Sequence, residues 1–106
     1  MTEIILTKTP SDGSTVSVAL AGELDIHTVA RIEPTLTRMA RDAERGVTLD
    51  LTDVTFCDGS GAALFFRMHR RCQAAGVCLS LSGIQRLPAR VIRVLGVDRV
   101  LSCSFA

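Results

Sequence analysis

The sequence predicts an α/β fold: a small mixed β-sheet, an N-terminal hairpin followed by a parallel β-α-β-α-β run, with the helices mainly on one face. Three observations carry this expectation. Three segments alternate between apolar and small or polar residues, helix-like stretches separate them, and the chain opens with two strand-like runs joined at a turn-rich stretch. A chain of 106 residues is expected to form one domain, 1–106, with one core and no linker.

The opening EIILTKTPSDGSTVSVALAG reads as a β-hairpin with Asp12-Gly13 at the centre of its turn. Within its second strand, Val16, Val18 and Leu20 point one way, and Ser17, Ala19 and Ala21 the other. The same split recurs at Val47, Leu49 and Leu51 against Thr48, Asp50 and Thr52, and at Val77, Leu79 and Leu81 against Cys78, Ser80 and Ser82. Three strands therefore share one greasy face and one small, polar face.

A first helix is predicted over 28–45, with Val29, Ile32, Leu36, Met39 and Ala43 at helical steps, Thr28 as N-cap and Gly46 as stop. Pro34 removes a hydrogen bond there, which predicts a kink or a later start. A second helix over 59–75 turns Ala62, Phe65, Phe66, His69 and Cys72 inward and stops at Gly76, and a shorter third spans about 87–95, with Pro88 in its first turn and Gly96 after it. The strand and helix order implies parallel strands with right-handed crossovers. Doubly wound sheets need strands apolar on both sides. These are apolar on one side only, so the crossover helices are expected on one face, leaving the other to water, the C-terminal segment or a partner.

Composition excludes several function classes. Lys plus Arg is 12 and Asp plus Glu is 11, and no block of like charge marks a nucleic-acid arm. The start MTEIILTKTP has no basic lead and nowhere do 18 apolar residues run together, so neither a signal peptide nor a membrane span is expected and the protein is expected in the cytoplasm. Cys57, Cys72, Cys78 and Cys103 form no CxxC pair and have no histidine at ligand spacing, which argues against a metal site. They are expected to be thiols filling small core or half-buried positions. Cys57, beside the motif described next, and Cys78, on the polar sheet face, are the two candidates for redox control.

Residues 57–61, CDGSG, fall where a predicted strand hands over to a helix. A nucleophile elbow needs Gly two positions before the serine, where this chain has Asp58, and His27 and His69 are lone histidines with no spacing that ties either to Ser60. A dinucleotide fingerprint needs a third glycine at position 64, which is Leu64, and no Gly-Lys-Ser/Thr phosphate loop is present. Asp58 as an ordinary N-cap explains part of the pattern. Two glycines in a first turn, each about 0.8–1.0 kcal/mol poorer than Ala, predict that something approaches this backbone closely. Free N–H groups and the positive helix end there would favour an anion or a phosphorylated side chain.

Three segments, AGELDIHTV (21–29), LDLTDVTFCDGSGAALF (49–65) and ARVIRVLGVDRVL (89–101), resemble in order the signature segments of the STAS domain, in particular of bacterial anti-sigma factor antagonists. The resemblance implies a STAS-like fold without catalysis or cofactor, and partner switching as the function. Such a domain binds an anti-sigma factor that is also a serine kinase and so frees a sigma factor. Phosphorylation at the start of the second helix ends that binding, and a PP2C-type phosphatase restores it. The typical phosphorylated residue directly follows the Asp, a position held here by Gly59, so the expected phosphosite moves to Ser60. The docking surface is expected at Gly22, Glu23, Asp25 and Thr28, at Asp58, Gly59, Ser60 and Gly61, and along the exposed side of the second helix, where Arg67, Arg70 and Arg71 would meet acidic groups. The alternatives are a STAS subunit of a lipid transporter, a stress-sensing scaffold, or a small serine hydrolase.

Overall fold

The alternating segments pair into one five-stranded sheet. The computed structural model describes residues 3–9 and 14–106. In chain order the elements are β1 (Ile4–Thr9), β2 (Thr15–Leu24), α1 (Ile26–Ala40), β3 (Gly46–Cys57), α2 (Gly59–Ala74), β4 (Cys78–Ile84), α3 (Arg86–Val94), a single 3-10 turn (Val97–Arg99) and β5 (Ser102–Phe105). The strands lie side by side in sequence order, β1 antiparallel to β2 and the rest parallel. The hairpin turn expected at Asp12-Gly13 lies outside the described residues. Its two strands pair from Ile4 with Gly22 to Thr9 with Ser17.

Adding each strand on the same side of the last puts every right-handed crossover helix on one face. The apolar strand positions Val16, Val18, Leu20, Val47, Leu49 and Leu51 are buried there. They meet Val29, Ile32 and Leu36 of α1 and Leu64, Phe65 and Met68 of α2, each worth roughly 1.5–3 kcal/mol when fully buried. The opposite face carries Ser17, Ala19, Thr48, Asp50, Ser80 and Ser82, half-buried at most, with a cross-strand hydrogen bond of 3.1 Å between the hydroxyls of Thr48 and Ser80. The C-terminal segment does not cover that face; it extends the sheet as β5 beside β4.

Three helix details differ from the sequence expectation. α1 begins at Ile26, with Asp25 rather than Thr28 as N-cap: the Asp25 carboxylate accepts the amides of His27 and Thr28, each at 2.9 Å, while the Thr28 hydroxyl accepts the Asp25 amide at 2.9 Å and donates to the Glu23 carbonyl at 2.7 Å. This reciprocal pair satisfies donors that a helix start otherwise leaves open. The helix runs through Pro34 and ends at Ala40 instead of reaching Gly46, because the amides of Glu44 and Arg45 both turn to the Ser14 carbonyl, at 3.0 and 2.9 Å. In α2 the buried stripe is Ala62, Leu64, Phe65, Met68 and Cys72, and Phe66 and His69, both expected inward, are only half-buried.

The register between β2 and β3 slips twice, after the Ala19–Asp50 pair and after the Gly22–Val54 pair. Each slip gives β3 an extra residue, so burial changes from every second position to Leu51, Val54 and Cys57. The Asp50 carboxylate braces the first slip by accepting from the Thr52 amide at 3.0 Å and hydroxyl at 2.6 Å. The result aims the end of β3 so that Cys57 points inward and Asp58 caps the next helix.

Candidate docking site at the start of the second helix

Leu24 and Cys57 are paired at the carboxyl ends of β2 and β3, and the residue after each is an aspartate that caps a helix. α1 and α2 therefore start side by side. The Asp58 carboxylate accepts the amides of Ser60 at 2.8 Å and Gly61 at 3.3 Å, and its own amide donates to the Leu24 carbonyl at 3.1 Å. The expectation of free N–H groups here is corrected: an internal carboxylate already occupies the first turn of α2. Asp25 does the same for α1, and the Thr28 amide, with that of His27, holds its carboxyl below the usual carboxylate range.

The two glycines prove unlike each other. A Cβ on Gly59 would meet nothing within 4 Å, whereas one on Gly61 would lie 2.5 Å from the Cys57 sulfur and 3.1 Å from the Leu24 Cβ. Gly61 is buried and its lack of a side chain serves the core. Gly59 is exposed and open to solvent. Gly22 also answers to an internal neighbour: its φ is +131° and a Cβ would run into the Glu3 carbonyl, just before β1.

Ser60, half-buried, lines a shallow cavity of about 290 Å³ with Ile26, Val29, Glu33, Ala63 and Arg67 in the cleft between α1 and α2. Arg67 and Arg71 are not free to wait for a partner's acids. Arg67 grips both oxygens of Glu33, Nε at 2.9 Å and Nη2 at 2.8 Å, and Arg71 reaches one of them at 2.7 Å. The hydrogen bonds from Arg67, with those from Arg71, hold the Glu33 carboxyl down at about 2. A fork of this kind clamps α1 to α2 beside the serine. Arg70 is exposed on the outer side of α2.

A depressed carboxylate pKa stabilises the fold above the unfolded value and loses that contribution as pH falls through the folded one. The Glu33 cluster is thus expected to contribute in full above about pH 4.5 and to fade toward pH 2. Glu33→Gln should cost about 1 kcal/mol at pH 7, because both arginines keep partial access to water. Urea melts from pH 7 to pH 2.5 check this; a variant whose stability falls with acid as steeply as the parent would remove Glu33 from the account.

The cysteines separate cleanly. Cys57 is 3% exposed, and burial, with the Asp58 charge adding to it, pushes its thiol up to about 12, which corrects the expectation that it is open to oxidation beside the motif. Cys78 is exposed, at the amino end of β4 and so at the opposite end of the parallel strands from Ser60. Native protein treated with a disulfide reagent should lose one thiol quickly, and Cys78→Ser should abolish that fast phase. A fast second equivalent at Cys57 would contradict its burial.

Three exposed apolar side chains were missing from the sequence expectation, two of them beside these helix starts and the third on α3. Ile26 is 65% exposed at the start of α1, Phe56 is 42% exposed two residues before Asp58, and Leu87 is 57% exposed at the start of α3. Ile26 and Phe56 sit inside the quoted motifs, yet only the folded register shows that they face outward. Among the described residues no group of three or more His, Cys, Asp or Glu could hold a metal ion, and no helix is long and apolar enough to cross a membrane.

A family model described as "Mlab, STAS domain" matches residues 7–102. The chain belongs to the STAS domain family. An anti-sigma-B factor antagonist of Staphylococcus aureus is 27% identical to this STAS domain over 84 residues, 79% of this chain and 78% of its own. Among solved structures, an anti-sigma factor antagonist from Mycobacterium paratuberculosis superposes with a TM-score of 0.81 at 20% identity, covering 96% of this chain and 86% of its own. The Bacillus cell fate determinant SpoIIAA in its phosphorylated form gives 0.68 at 23% identity, covering 93% and 90%. At these identities the structural likeness establishes the fold, a regulatory module rather than an enzyme by its family.

Proposed function

We propose that this STAS domain is an anti-sigma factor antagonist that works by partner switching. Its surface at the starts of α1 and α2 binds an anti-sigma factor of the serine-kinase type and thereby releases a sigma factor. Phosphorylation of Ser60 by that kinase ends the binding, and a PP2C-type phosphatase restores it. The observation that carries the reading is the placement of Ser60: a half-buried hydroxyl in the cleft between two helix starts, beside the Asp58 carboxylate and the exposed Ile26.

The physics supports a switch without a change of fold. A phosphate adds about −1.5 to −2 charges at pH 7. On Ser60 it would enter a first turn whose amides already serve Asp58, so the added charge stays unpaired inside any contact made there. Glu23, Asp25 and Thr28 contribute differently: Glu23 is exposed for contact, while Asp25 and Thr28 hold the neighbouring helix start in place.

The test incubates the purified chain with the kinase-type anti-sigma factors of its own genome, with and without ATP. Binding without ATP and a phosphopeptide containing Ser60 with ATP are expected. Binding only to a transporter ATPase or to a stress-sensing assembly, with no anti-sigma factor bound, overturns the reading in favour of another STAS role. Ester hydrolysis that is lost in Ser60→Ala would instead make the domain a hydrolase.

A further inference from the structure

α3 carries a surface that the switch at Ser60 does not use. Arg86, Arg90 and Arg93 recur at i, i+4 and i+7, so they form one basic stripe along the helix, roughly 10 Å from first to last. All three are exposed, and among the described residues none forms an ion pair. They line a cleft of about 520 Å³ together with Phe105 of the edge strand β5. The Arg93 guanidinium lies 4.1 Å from the centre of the Phe105 ring, which holds it in place at the cleft wall.

Beside the basic stripe runs an apolar one. Leu87 is 57% exposed, Val94 82% and Leu95 47%, at i, i+7 and i+8, while the inward positions of the same helix are Pro88, Ala89 and Ile92. Like charges at i, i+4 oppose the helix by a few tenths of a kcal/mol per pair, and large exposed aliphatic side chains grouped on one face mark a contact surface. Among the described residues only Arg93 of the two stripes has a partner within the domain, the Phe105 ring; Arg86, Arg90 and the exposed aliphatic side chains face outward.

We propose that α3 is a second docking surface, for a protein partner whose docking segment presents carboxylates flanked by aliphatic side chains. The uncompensated charge of three arginines selects an acidic occupant. A small anion would engage the arginines and leave the aliphatic stripe in water. The cleft is lined by the arginines and Phe105 and not by the aliphatic stripe, so a planar lipid surface would touch the stripe and leave the cleft between α3 and β5 unfilled. A second copy in a two-fold contact would press the basic stripe against itself. Because α3 and β5 carry neither Ser60 nor Asp58, one partner can remain on α3 while another is exchanged at α2.

The probe is a synthetic helical peptide with Glu at i, i+4 and i+7 and Leu at i+3 and i+8, titrated into the isotopically labelled full chain by amide NMR. Perturbations confined to α3 and β5 are expected, with affinity reduced at least about tenfold by Arg86→Glu combined with Arg90→Glu and left unchanged by Ser60→Asp. Val94→Ser, at an exposed position that leaves the core intact, should weaken the same peptide severalfold. The proposal is overturned by an unperturbed α3 at millimolar peptide, by an equal response to pyrophosphate or to phosphatidylglycerol vesicles, or by self-association of the chain that Val94→Ser abolishes.

Discussion

Ser60→Asp is expected to weaken binding to the anti-sigma factor by about 30- to 1000-fold, the range set by roughly 2–4 kcal/mol for an unpaired charge closed inside an interface. Ser60 stands two residues inside the Asp58 cap, so the new carboxylate meets an existing one that already takes the amides of Ser60 and Gly61. Ser60→Ala is expected to bind within about threefold of the parent and to resist switching by kinase and ATP, since a half-buried hydroxyl contributes little by itself. Gly59→Ser gives the control that this sequence invites. No atom would lie within 4 Å of its Cβ, so the serine should be tolerated and should restore a hydroxyl directly after the Asp. Calorimetric titration of the four proteins, with circular dichroism to show a common fold, measures these effects. Parent-like affinity for Ser60→Asp would place the interface away from the start of α2.

Gly61→Ala and Gly59→Ala, two positions apart and chemically identical, are expected to change stability in opposite directions. Ala is better than Gly in a helix by about 0.8–1.0 kcal/mol, somewhat less in a first turn, and at Gly59 nothing opposes the gain. At Gly61 the methyl group would lie 2.5 Å from the Cys57 sulfur and 3.1 Å from the Leu24 Cβ, both fully enclosed by the core. Overpacking of this kind costs up to about 3 kcal/mol, so a net loss of about 2 kcal/mol is expected, or roughly 10 °C in the melting temperature of a domain this size. Removing the sulfur should return part of that loss. The double variant Gly61→Ala with Cys57→Ala is therefore expected to be less destabilised than the sum of its single changes. Strict additivity, or a stable Gly61→Ala, would mean that α2 slides outward at little cost.

Much of the fold was legible because it is written in local periods. The two-residue alternation at 16–21, 47–52 and 77–82 identified three strands and their buried side, and apolar residues at helical spacing identified α1, α2 and α3. One-sided strands were enough to place the helices on one face, because the handedness of the crossover leaves a single arrangement once strands are added in order. Both misjudged ends of α1 depend on contacts from other elements, the Ser14 carbonyl at its C-terminus and the Glu23 carbonyl at its start. Asp25 and Thr28 are both good capping residues, and only the carbonyl of Glu23, brought close by the end of β2, makes Thr28 the inner partner of the pair.

Residue order alone gave the succession of strands and helices, the inward faces of the strands, and the Asp-Gly-Ser-Gly turn as a candidate site. What each residue there does depends on neighbours brought from elsewhere in the chain. Gly59 and Gly61 look alike in a string, and their difference depends on where Leu24, 37 positions before Gly61, arrives in space. Arg67 and Arg71 read as a basic face until Glu33, 34 and 38 residues away, is folded against them. The two register slips in β3 leave no local mark, yet they turn Cys57 inward and put Asp58 and Ser60 at the carboxyl end of the strand. Periodicity records which side of an element is apolar; contacts between elements depend on register and approach, and those are settled by packing the whole chain at once.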